Sequence, residues 1–577
     1  MAKIVRLDIK NYKGIKDLSI KGLNKPVICL VGRGDSGKTT ILEAVSSVLS
    51  PSWNLSFSDT DFFCCDAENT IEIAAYLIDF PAKFLSEQKF GLYIKKYFPL
   101  NNEVSDEIFD DHNDLDSIPL LCIKLTIDKT LEPKWVITNG RQNQEDIPVS
   151  ASDRALLNCF LVSDYIDRHF MWNKGTPLYS LLKAANSEEA LKNAIITEAI
   201  RQAKNSIDQS GFEKFDEATV CIKGKAALLG LDLSNITTTL DFRDLTVKEG
   251  RVSLHDRQVP LRLKGKGSRR LASLSIQLAL LNDEGIMLVD EIEQGLEPDR
   301  VKQAVRTLKE ENSGQIFITT HSRDVLEELD ASDLYIIHRD FDPFIMDVHT
   351  LEGNNEAFQK AVRACSEAFF AKKIIVCEGA TEVGICRALD KWRKRSGKKS
   401  MSFSACAYVD GGGDNLFLRA DELRKAGFCV AVLCDSDKAG NVDEKKRLKS
   451  EGVNFFDCEP GKCFEAQVFS DLPWIGVCKL LDYVCKDQKG GDECALSQCV
   501  ESKYPCSNNF PENWKEHDSP DIRKAISEAS VVKRKEWFKR IDRGEELGKV
   551  IFEHFSARED LTQLEKILYG ISEWVDS

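Results

Sequence analysis

No apolar run in the sequence approaches the roughly 18–20 residues that a membrane-spanning helix needs. The longest apolar segments, such as the one around Phe428–Cys434, have the length of buried strands. The N-terminus, MAKIVRLDIK, alternates like a strand and lacks the charged-then-apolar layout of a signal peptide. These absences predict a cytoplasmic protein with no membrane partner.

The chain also lacks the cysteine spacing of a zinc site, although it contains 19 cysteines. No His lies close to the C-terminal cysteines, and none of the closest pairs is a CxxC motif: Cys64–Cys65, Cys458/Cys463 and Cys494/Cys499. In a long chain without an export signal, many cysteines do not indicate disulfides. We therefore expect reduced thiols that pack as small apolar side chains.

The chain has no excess of positive charge either. The net charge is −15 at pH 7, which argues against DNA being held by the whole protein surface. A local basic groove is still compatible with this balance, because phosphate binding depends on where the Lys and Arg residues lie. The hydrophobic fraction of 42% and the charged fraction of 30% are typical of a folded protein.

A length of 577 residues exceeds what one hydrophobic core serves, so we expect several domains. Strand and helix patterns alternate through most of the chain, which predicts an α/β protein with parallel sheets and with ligands at the carboxyl ends of their strands. Helical patterns dominate residues 151–235, with ALLNCFLVSDYIDRHF and SEEALKNAIITEAIRQAKNSI as the clearest pieces. A second α/β pattern begins at KKIIVCEG, after a polar connector near Glu352–Ala371 that contains LEGNNEAFQK.

A glycine-rich loop lies between an apolar strand, KPVICLVG, and a helix, TTILEAVSSVL. It fits the P-loop pattern GxxxxGK[ST] in full, with the residues Gly32, Arg33, Gly34, Asp35, Ser36, Gly37, Lys38 and Thr39. Backbone N–H groups of such a loop surround phosphates, its lysine reaches the β- and γ-phosphates, and its hydroxyl binds Mg²⁺. We therefore predict an ATP site with one Mg²⁺ ion.

A buried strand, Gly285–Val289, leads into Asp290 and Glu291. This is the Walker B arrangement, in which the aspartate holds Mg²⁺ through water and the glutamate polarises the attacking water. Further along, the strand IFITTHS leads to His321, for which we predict a contact with the γ-phosphate. Taken alone, His321 is equally compatible with a structural histidine. The combination with a P-loop favours the nucleotide site.

These motifs resemble those of the ABC ATPase superfamily, in the branch of SMC-like heads that act in DNA repair. LKGKGSRRLASLSIQLAL, at residues 263–280, lies where that family has its signature motif, and EQGLEP looks like its D-loop. The resemblance implies a dimer in which two heads enclose ATP. The signature has Lys264 where the family has serine, and no Q-loop glutamine is evident. We therefore predict ATP binding but not rapid hydrolysis.

Acidic residues follow two strands of the second α/β pattern. Glu378 ends the strand of IIVCEG, and Glu382 lies four residues later, so the two share one face at the start of a helix. Asp435 and Asp437 follow the strand Val430–Cys434 and project to one side of an extended chain. Such carboxylates suit Mg²⁺ or Mn²⁺, and two ions can activate water and stabilise the leaving oxygen of a phosphodiester. The DxD motif by itself is more typical of surface acids, and it is the EGxTE segment ahead of it that favours a metal site.

This acid set resembles the Toprim fold of topoisomerases, primases and some nucleases. An ABC head followed by a Toprim domain is similar to the OLD family of nucleases, which includes the Gabija nuclease subunit and retron-associated OLD-type effectors. The GKGSRR segment and the VDGGGDN loop add to the resemblance. It implies two metal ions in the Toprim site, held by Glu378, Glu382, Asp435, Asp437 and Glu465.

The resemblance also implies that a late lysine contacts the scissile phosphate. The run Val532–Arg540 offers several, and Lys535 or Lys533 is preferred, with Lys539 third. The same run is also compatible with a solvated amphipathic helix whose Trp537 and Phe538 face inward.

Four regions are predicted along the chain. They are an ATPase lobe with the P-loop, a helical insert, the rest of the ATPase with its signature, Walker B motif and histidine, and a Toprim nuclease domain with a helical extension: residues 1–150, 151–235, 236–365 and 366–577. By its position, the insert corresponds to the dimerisation region of the family that the chain resembles.

The function that these features favour is a metal-dependent DNA endonuclease or nickase that is gated by the nucleotide state of the ATPase heads. The resemblance implies antiphage defence by a homodimer or higher oligomer, with a partner such as a helicase-like protein or a retron reverse transcriptase with its DNA. The alternative is an ATP-dependent DNA-binding clamp or sensor with a non-catalytic Toprim domain, against which the complete acid set argues.

Two further classes of protein rank lower. A topoisomerase needs a nucleophilic tyrosine, and Tyr483 and Tyr504 lie in unpromising surroundings. In an ABC transporter subunit the C-terminal acid cluster would have no role, and the signature motif differs from that of transporters.

Overall fold

The structure is a computed structural model of the 577-residue chain. It describes residues 2–577 except for Glu87 and these segments: 111–115, 164–165, 172–175, 185–212, 242–250, 282–284, 312–313, 342–343, 352–354, 437–441, 506–509 and 556–559. The chain forms two compact units, Met1–Thr350 and Leu351–Ser577. Within the described residues, no helix has both the length and the apolar composition needed to cross a bilayer.

The first unit is rich in strands. They are β1 (Lys3–Tyr12), β2 (Ile15–Lys21), β3 (Val27–Val31), β4 (Ile71–Ile78), β5 (Lys95–Phe98), β6 (Glu103–Ser105), β7 (Ile118–Ile127), β8 (Pro133–Thr138), β9 (Ile147–Pro148), β10 (Cys159–Val162), β11 (Ile236–Asp241), β12 (Arg251–Asp256), β13 (Val259–Pro260), β14 (Ile286–Val289), β15 (Gln315–Thr319), β16 (Leu334–Phe341) and β17 (Phe344–Thr350). Its described helices are α1 (Lys38–Val48), α2 (Ala151–Arg154), α3 (Pro177–Ala184), α4 (Glu213–Leu228), α5 (Lys266–Leu281), α6 (Pro298–Glu310) and α7 (Arg323–Glu328).

The central sheet of this unit has the strand order β10-β14-β15-β3-β16-β17 and is parallel except for the β16–β17 pair. Strands β3, β14 and β15 are buried along their whole length, as expected for strands that are covered on both faces. Because these strands run in the same direction, their carboxyl ends meet at one edge of the sheet. The P-loop, the Walker B acids and His321 follow these three ends.

A second sheet has the order β2-β1-β4-β7-β5-β6, with β8 and β9 attached at β7. Its described pairs are antiparallel, and β1 and β4 alternate between buried and less buried side chains, which is typical of a sheet with one face toward a core. The apolar side of α1, with Ile41, Leu42 and Val45, packs against this face. Helix α1 therefore lies between the two sheets, and the P-loop at its start is fixed by both.

The predicted helical pattern of residues 155–170 is wrong in one part. ALLNCFLVSDYIDRHF contains strand β10, which pairs in parallel with β14 and forms one edge of the central sheet. Cys159, Phe160 and Val162 are buried there. Ladder hydrogen bonds to a neighbouring strand decide the conformation of so short a segment, and apolar periodicity does not reveal them. SEEALKNAIITEAIRQAKNSI lies outside the described residues, whereas α3 and α4 contact α5 of the same unit.

The second unit is a parallel sheet surrounded by helices. Its strands are β18 (Lys373–Cys377), β19 (Cys406–Asp410), β20 (Cys429–Cys434) and β21 (Asn454–Asp457), in the order β19-β18-β20-β21. Its described helices are α8 (Asn355–Ala364), α9 (Ala380–Arg395), α10 (Leu416–Lys425), α11 (Val442–Ser450), α12 (Phe464–Asp471), α13 (Trp474–Gln488), α14 (Glu493–Glu501), α15 (Pro520–Ser530), α16 (Ile541–Glu553) and α17 (Gln563–Asp576).

The stretch that was predicted to be a polar connector contains helix α8. Phe358, Ala361 and Val362 are buried on one side of this helix, at the spacing of an amphipathic helix. Of these three residues only Phe358 lies within LEGNNEAFQK, so the segment by itself looks polar and the helix was not predicted. The stretch is therefore part of the second unit.

Candidate functional site

The P-loop leads from β3 into α1. Gly37 precedes the helix with a φ of 95°, a left-handed conformation that favours glycine, and a Cβ at this position would lie 2.4 Å from Cε of Met346. Lys38 is only 5% exposed, and its Nζ donates hydrogen bonds to the carbonyls of Gly32 (2.8 Å) and Arg33 (2.7 Å). Burial lowers the pKa of Lys38 to about 8. The loop thus encloses its ammonium group at the place where P-loop chemistry requires a phosphate-binding cation.

The remaining P-loop residues are positioned by the same turn. Ser36 is buried, and its hydroxyl lies 3.3 Å from Nζ of Lys38. Asp35 has a φ of 61°, and its carbonyl accepts a hydrogen bond from Arg339 of β16. A Cβ at Gly34 would meet no atom within 4 Å, so steric crowding does not explain this glycine.

Thr319, at the end of β15, fixes both Walker B acids. Oδ1 of Asp290 accepts hydrogen bonds from the hydroxyls of Thr39 (3.0 Å) and Thr319 (2.6 Å). The hydroxyl oxygen of Thr319 in turn accepts the backbone N–H of Glu291 at 2.8 Å. Glu291 has a φ of 46°, which is uncommon for a residue with a side chain. Thr39 and Asp290 therefore meet at one point, as the two Mg²⁺-binding residues of a P-loop ATPase do.

His321 lies at the same edge of the sheet. Its backbone N–H donates to Oε1 of Glu293 at 2.6 Å, and the hydroxyl of Thr320 donates to Oε2 of the same residue at 2.8 Å. Partial burial and the charge of Lys38 lower the pKa of His321, so that its ring is neutral near pH 7. The charge of Lys38 thus acts on His321, whose contact with the γ-phosphate stays a prediction.

The signature helix α5 contacts the Walker B strand through Arg270, which sequence reasoning missed. Its guanidinium donates to the backbone carbonyls of Ser163 (3.1 Å) and Glu291 (2.9 Å) and to that of Asp290. A sequence does not show which backbone carbonyls a side chain will contact, so only the GSRR motif could have drawn attention to this arginine. Lys264, which replaces the serine of the signature, forms an ion pair with Asp256 at 2.7 Å.

In the second unit, Glu378 and Asp435 follow adjacent strands, β18 and β20. Oε2 of Glu378 accepts the backbone N–H of Asp435 at 2.9 Å, and Oδ1 of Asp435 accepts the N–H of Phe464 at 2.7 Å. The second bond links Asp435 to helix α12, which carries Glu465. The backbone carbonyl of Glu378 accepts the N–H of Gly413 in the VDGGGDN loop at 2.9 Å. Both acids are therefore held at the carboxyl edge of the sheet, as predicted.

Glu382 and Glu465 are buried carboxyl groups, 5% and 6% exposed. Burial raises the pKa of Glu382 well above its usual range, and the charges of Asp435, Glu465 and Glu378 add to this shift. Burial also raises the pKa of Glu465, against the opposing charge of Lys539. The cluster thus contains several carboxyl groups, whose oxygens are of the kind that Mg²⁺ or Mn²⁺ binds.

Asp437 lies outside the described residues. Without it, no three His, Cys, Asp or Glu residues in the part of the chain that the structure describes come close enough to hold one metal ion. The charges of Asp435, Glu465 and Glu378 add to the effect of burial in raising the pKa of Glu382, and the role of these acids as metal ligands stays a prediction.

The late basic run differs from its prediction in its secondary structure. Residues 531–540 form a loop between α15 and α16 and not a helix, although Trp537 and Phe538 are buried as expected. The ammonium whose pKa responds to the acid cluster is that of Lys539. Burial acts to lower this pKa, but Glu465, Glu382, Asp435 and Glu378 raise it overall. Lys533, Lys535 and Lys539 are all exposed, so which of them contacts the scissile phosphate stays a prediction.

Comparison with known proteins gives two family matches. Residues 27–327 match the family described as "AAA domain, putative AbiEii toxin, Type IV TA system", and residues 369–437 match "Overcoming lysogenization defect protein-like, TOPRIM domain". No curated protein matches the chain.

Among solved structures, an SMC head bound to the C-terminal winged-helix domain of ScpA is 15% identical with a TM-score of 0.38, covering 61% of this chain and 98% of that chain. An SMC head from Pyrococcus furiosus bound to the C-terminal domain of ScpA is 15% identical with a TM-score of 0.37, covering 61% and 97%. The SMC head domain from Thermotoga maritima is 13% identical with a TM-score of 0.29, covering 61% and 100%.

The first family match spans more than half of the chain, and the TOPRIM match begins at residue 369, shortly before β18. Both agree with the motifs whose geometry is described above, and the predicted combination of domains is confirmed. The chain belongs to this AAA-domain family and, with an OLD-like TOPRIM domain following in sequence, is an OLD-family ATPase–Toprim fusion.

Proposed function

We propose that the protein is an ATP-binding, metal-dependent DNA endonuclease or nickase whose nuclease activity is gated by the nucleotide state of its ATPase heads. The observation that carries the proposal is the cluster of Glu378, Glu382, Asp435 and Glu465, faced by the charge of Lys539. Acids that raise each other's pKa at the carboxyl edge of a parallel sheet need a cation, and a nearby lysine suits a phosphate.

In the nuclease site, Glu378, Glu382, Asp435, Asp437 and Glu465 would hold two Mg²⁺ or Mn²⁺ ions. Such ions supply an activated water and stabilise the leaving oxygen of a phosphodiester. Lys539 would bind the phosphate to be cleaved, a role that the sequence favoured for Lys535.

In the nucleotide site, Lys38 and the P-loop backbone would hold the phosphates of ATP, and Thr39 and Asp290 would hold Mg²⁺. Glu291 would orient the attacking water, and His321 would contact the γ-phosphate. A nucleotide that binds one arrangement of two heads more tightly than another shifts a homodimer toward that arrangement. The nuclease domains would follow this shift, in the setting of antiphage defence with a partner such as a helicase-like protein or a retron reverse transcriptase with its DNA.

Cleavage of supercoiled plasmid by the purified protein tests the proposal, with Mg²⁺ or Mn²⁺ and with or without ATP. We expect nicking or linearisation that is lost in Glu378→Ala and kept in Glu444→Ala, a matched variant of an acid on helix α11. Lys38→Ala shows whether ATP licenses or restrains cleavage. Activity that survives in Glu378→Ala would contradict the assignment of the site.

The second candidate function is an ATP-dependent DNA clamp or sensor whose Toprim domain is not catalytic. The observation that favours it is that the described acids do not converge on one metal position. Calorimetric titration of Mn²⁺ into the wild type and Glu378→Ala distinguishes the two candidates. A clamp without a metal site gives the same heat in both proteins and leaves plasmid intact under every condition.

A further inference from the structure

Two adjacent cysteines of the first unit, Cys64 and Cys65, are not packed as the sequence predicted. Most cysteines in the described part of the chain are buried, whereas both of these are exposed. Each described cysteine is free, so neither thiol of the two is bonded to another cysteine there. The expectation that the thiols pack as small apolar side chains is therefore wrong for these two residues, which we call the dithiol pair.

The backbone holds the dithiol pair in an uncommon conformation. Cys64 and Cys65 have φ angles of 55° and 57°, in the left-handed region that costs free energy for residues with a side chain. The N–H of Cys65 donates to the carbonyl of Phe62 at 2.9 Å, and the N–H of Asp66 donates to that of Phe63 at 3.2 Å. Two consecutive residues persist in this region only where the surrounding contacts determine the turn. The thiols are therefore displayed in a fixed arrangement.

Contacts of the preceding residues keep this turn in place. The backbone N–H of Lys13 donates to the carbonyl of Asp61 at 2.7 Å, and Phe62 is 1% exposed within the core of the first unit. The ring of Phe63 meets the ring of Phe344 edge to face, with a centroid distance of 5.2 Å. The turn is thus tied to the connection between β1 and β2 and to strand β17.

The spacing of the two residues disfavours a bond between their own sulfurs. Consecutive Cα atoms are about 3.8 Å apart across a trans peptide bond, whereas the two Cα atoms of a disulfide are usually about 4.4–6.8 Å apart. A disulfide within the dithiol pair would therefore require the turn to distort. Both thiols stay available to an external ligand that binds two sulfur atoms at once.

Negative charge around the turn restricts the reagents that suit the pair. From residue 50 to residue 70 the sequence contains no Lys or Arg and has four acids: Asp59, Asp61, Asp66 and Glu68. Lysines from elsewhere face two of them, since Lys13 lies 4.0 Å from Asp61 and Lys129 lies 3.6 Å from Glu68. The acids still outnumber these lysines. Anionic reagents such as glutathione disulfide are therefore repelled, and negatively charged products are disfavoured.

The number of ligands and the charge of the product exclude most ions that bind thiols. Zn²⁺ takes at least three protein ligands, and iron–sulfur clusters take more. Across the described ranges, no three His, Cys, Asp or Glu residues are grouped closely enough for one metal ion. Cu(I) accepts two thiolates, but its product carries a negative charge beside the acids. A trivalent arsenical binds two thiols as a neutral product and so satisfies both conditions.

We propose that the dithiol pair binds trivalent arsenic, as arsenite or an organoarsenical, through the sulfurs of Cys64 and Cys65. With phenylarsine oxide, two S–H bonds break, two As–S bonds form, and the oxygen leaves as water with both protons. Arsenic stays trivalent, so the step needs neither an oxidant nor a reductant. Because the turn is already ordered, closing the ring through arsenic costs little conformational entropy. This inference is independent of the proposed nuclease function.

Native mass spectrometry of the full-length, reduced protein with phenylarsine oxide tests the proposal. Bound arsenical is measured first in an excess of the monothiol 2-mercaptoethanol and then in an excess of the dithiol 2,3-dimercaptopropanol. A single cysteine loses its arsenical to the monothiol, whereas a site with two thiols releases it only to the dithiol. The variants are Cys64→Ser and Cys65→Ser, and the matched control is Cys429→Ser, at an exposed cysteine at the start of β20.

We expect the wild type and Cys429→Ser to keep about one arsenical per chain in the monothiol and to lose it in the dithiol. In Cys64→Ser and Cys65→Ser, the arsenical retained in the monothiol falls about tenfold or more, because the loss of a ligand weakens a site at least as much as the loss of an outer contact. Both variants melt at the wild-type temperature, since the substituted side chains are exposed.

Three outcomes overturn the inference. Arsenical that the monothiol removes from the wild type shows that the two thiols do not act together. Arsenical that stays in Cys65→Ser but is lost in Cys386→Ser belongs to Cys377 and Cys386, whose sulfurs are 3.7 Å apart but whose side chains are buried. A wild type that takes Cu(I) from a competing chelator but retains no arsenical has a cation site, and the surrounding acids do not select a neutral ligand.

Discussion

The two acidic sites of the molecule differ in burial and charge, although backbone N–H groups donate to Glu378, Glu382 and Asp435 in the second site. Asp290 accepts two hydroxyl hydrogen bonds, so the Walker B carboxylate is satisfied by the protein itself. Glu382 and Glu465 are buried carboxyl groups with raised pKa values, and further acids add to the shift of Glu382. A carboxylate that accepts hydrogen bonds from the protein is stable without a ligand. A cluster of carboxylates that repel one another is stabilised when a cation binds. The comparison indicates that the second site depends on its ligand more than the first.

The largest effect is expected from Glu382→Gln. The amide keeps a carbonyl oxygen for the N–H of Gly379 but removes a negative charge from the cluster. We expect metal-dependent cleavage to fall about 100-fold or more, because a ligand is lost. In EDTA, the same variant is expected to melt at a higher temperature than the wild type, since burial and the neighbouring acids both disfavour a charged group at this position. Plasmid cleavage and thermal melting with EDTA or Mn²⁺ measure both effects.

Glu459→Gln is the matched control for this prediction. Glu459 is exposed and forms an ion pair with Lys462 at 2.6 Å, which lowers its pKa. Removing this charge leaves cleavage unchanged and does not raise the melting temperature in EDTA. If Glu382→Gln lowers the melting temperature in EDTA, the acids do not repel one another and the comparison between the sites fails.

Lys38→Ala tests the nucleotide site, the first of the two sites compared. The ammonium of Lys38 is enclosed by the P-loop, and a charge-assisted bond to phosphate contributes about 1.5–3 kcal/mol. We expect ATP affinity to fall about 10- to 100-fold, as measured by isothermal titration calorimetry, with the Mn²⁺-induced rise in melting temperature unchanged. Lys302→Ala, which removes a lysine paired with Glu327 and Asp324, should leave ATP affinity as it is. Loss of the Mn²⁺ response in Lys38→Ala would show that the two sites are not independent.

Thr319→Val tests whether the Walker B acids are held by the protein itself. The substitution removes the hydroxyl that donates to Asp290 and accepts the N–H of Glu291. We expect the free energy of unfolding to fall by about 1–3 kcal/mol, because a buried N–H loses its partner. Any ATP turnover should fall as well, and Thr319→Ser should restore both.

Thr307→Val provides the control for a buried threonine away from the nucleotide. Its hydroxyl donates to the carbonyl of Leu228 at 2.7 Å. This variant loses stability without a change in ATP affinity or turnover. If Thr319→Val behaves in the same way, Thr319 has a structural role only.

The sequence predicted the parts of both sites that are contiguous motifs. The P-loop, the Walker B acids and Glu378 each follow an apolar strand directly, so local order fixes which edge of the sheet they reach. Residues that act through distant contacts could not be predicted in this way. Arg270 bonds to backbone carbonyls, and Thr319 looks like any other strand threonine until its neighbours are known.

Two segments show why periodicity alone misplaces residues. β10 has only four residues, and its conformation depends on the ladder with β14. In the late basic run, spacing cannot tell which lysine faces the acids. Lys539 follows the buried Trp537 and Phe538, and the charges of the acid cluster raise its pKa against the effect of burial.

The smallest expected effect is on the pH dependence of the unfolding free energy, and it concerns His169, a buried titratable group of the first unit. Its Nδ1 lies 2.7 Å from the hydroxyl of Ser273 on the signature helix. Burial and the charges of Arg270 and Arg168 lower the pKa of His169 to about 4. A folded-state pKa below the unfolded value of about 6.5 gives stability that is present above pH 6.5 and is lost as the pH falls toward 4.

We therefore expect the wild type to lose about 1–2 kcal/mol between pH 7 and pH 5 that His169→Gln does not lose. The unfolding free energy of both proteins, measured by urea denaturation at each pH, gives this difference. His349→Gln, at a histidine that is less buried, should follow the wild type at both pH values. If His169→Gln and the wild type lose equal stability on acidification, the loss of stability originates in carboxyl groups and not in His169.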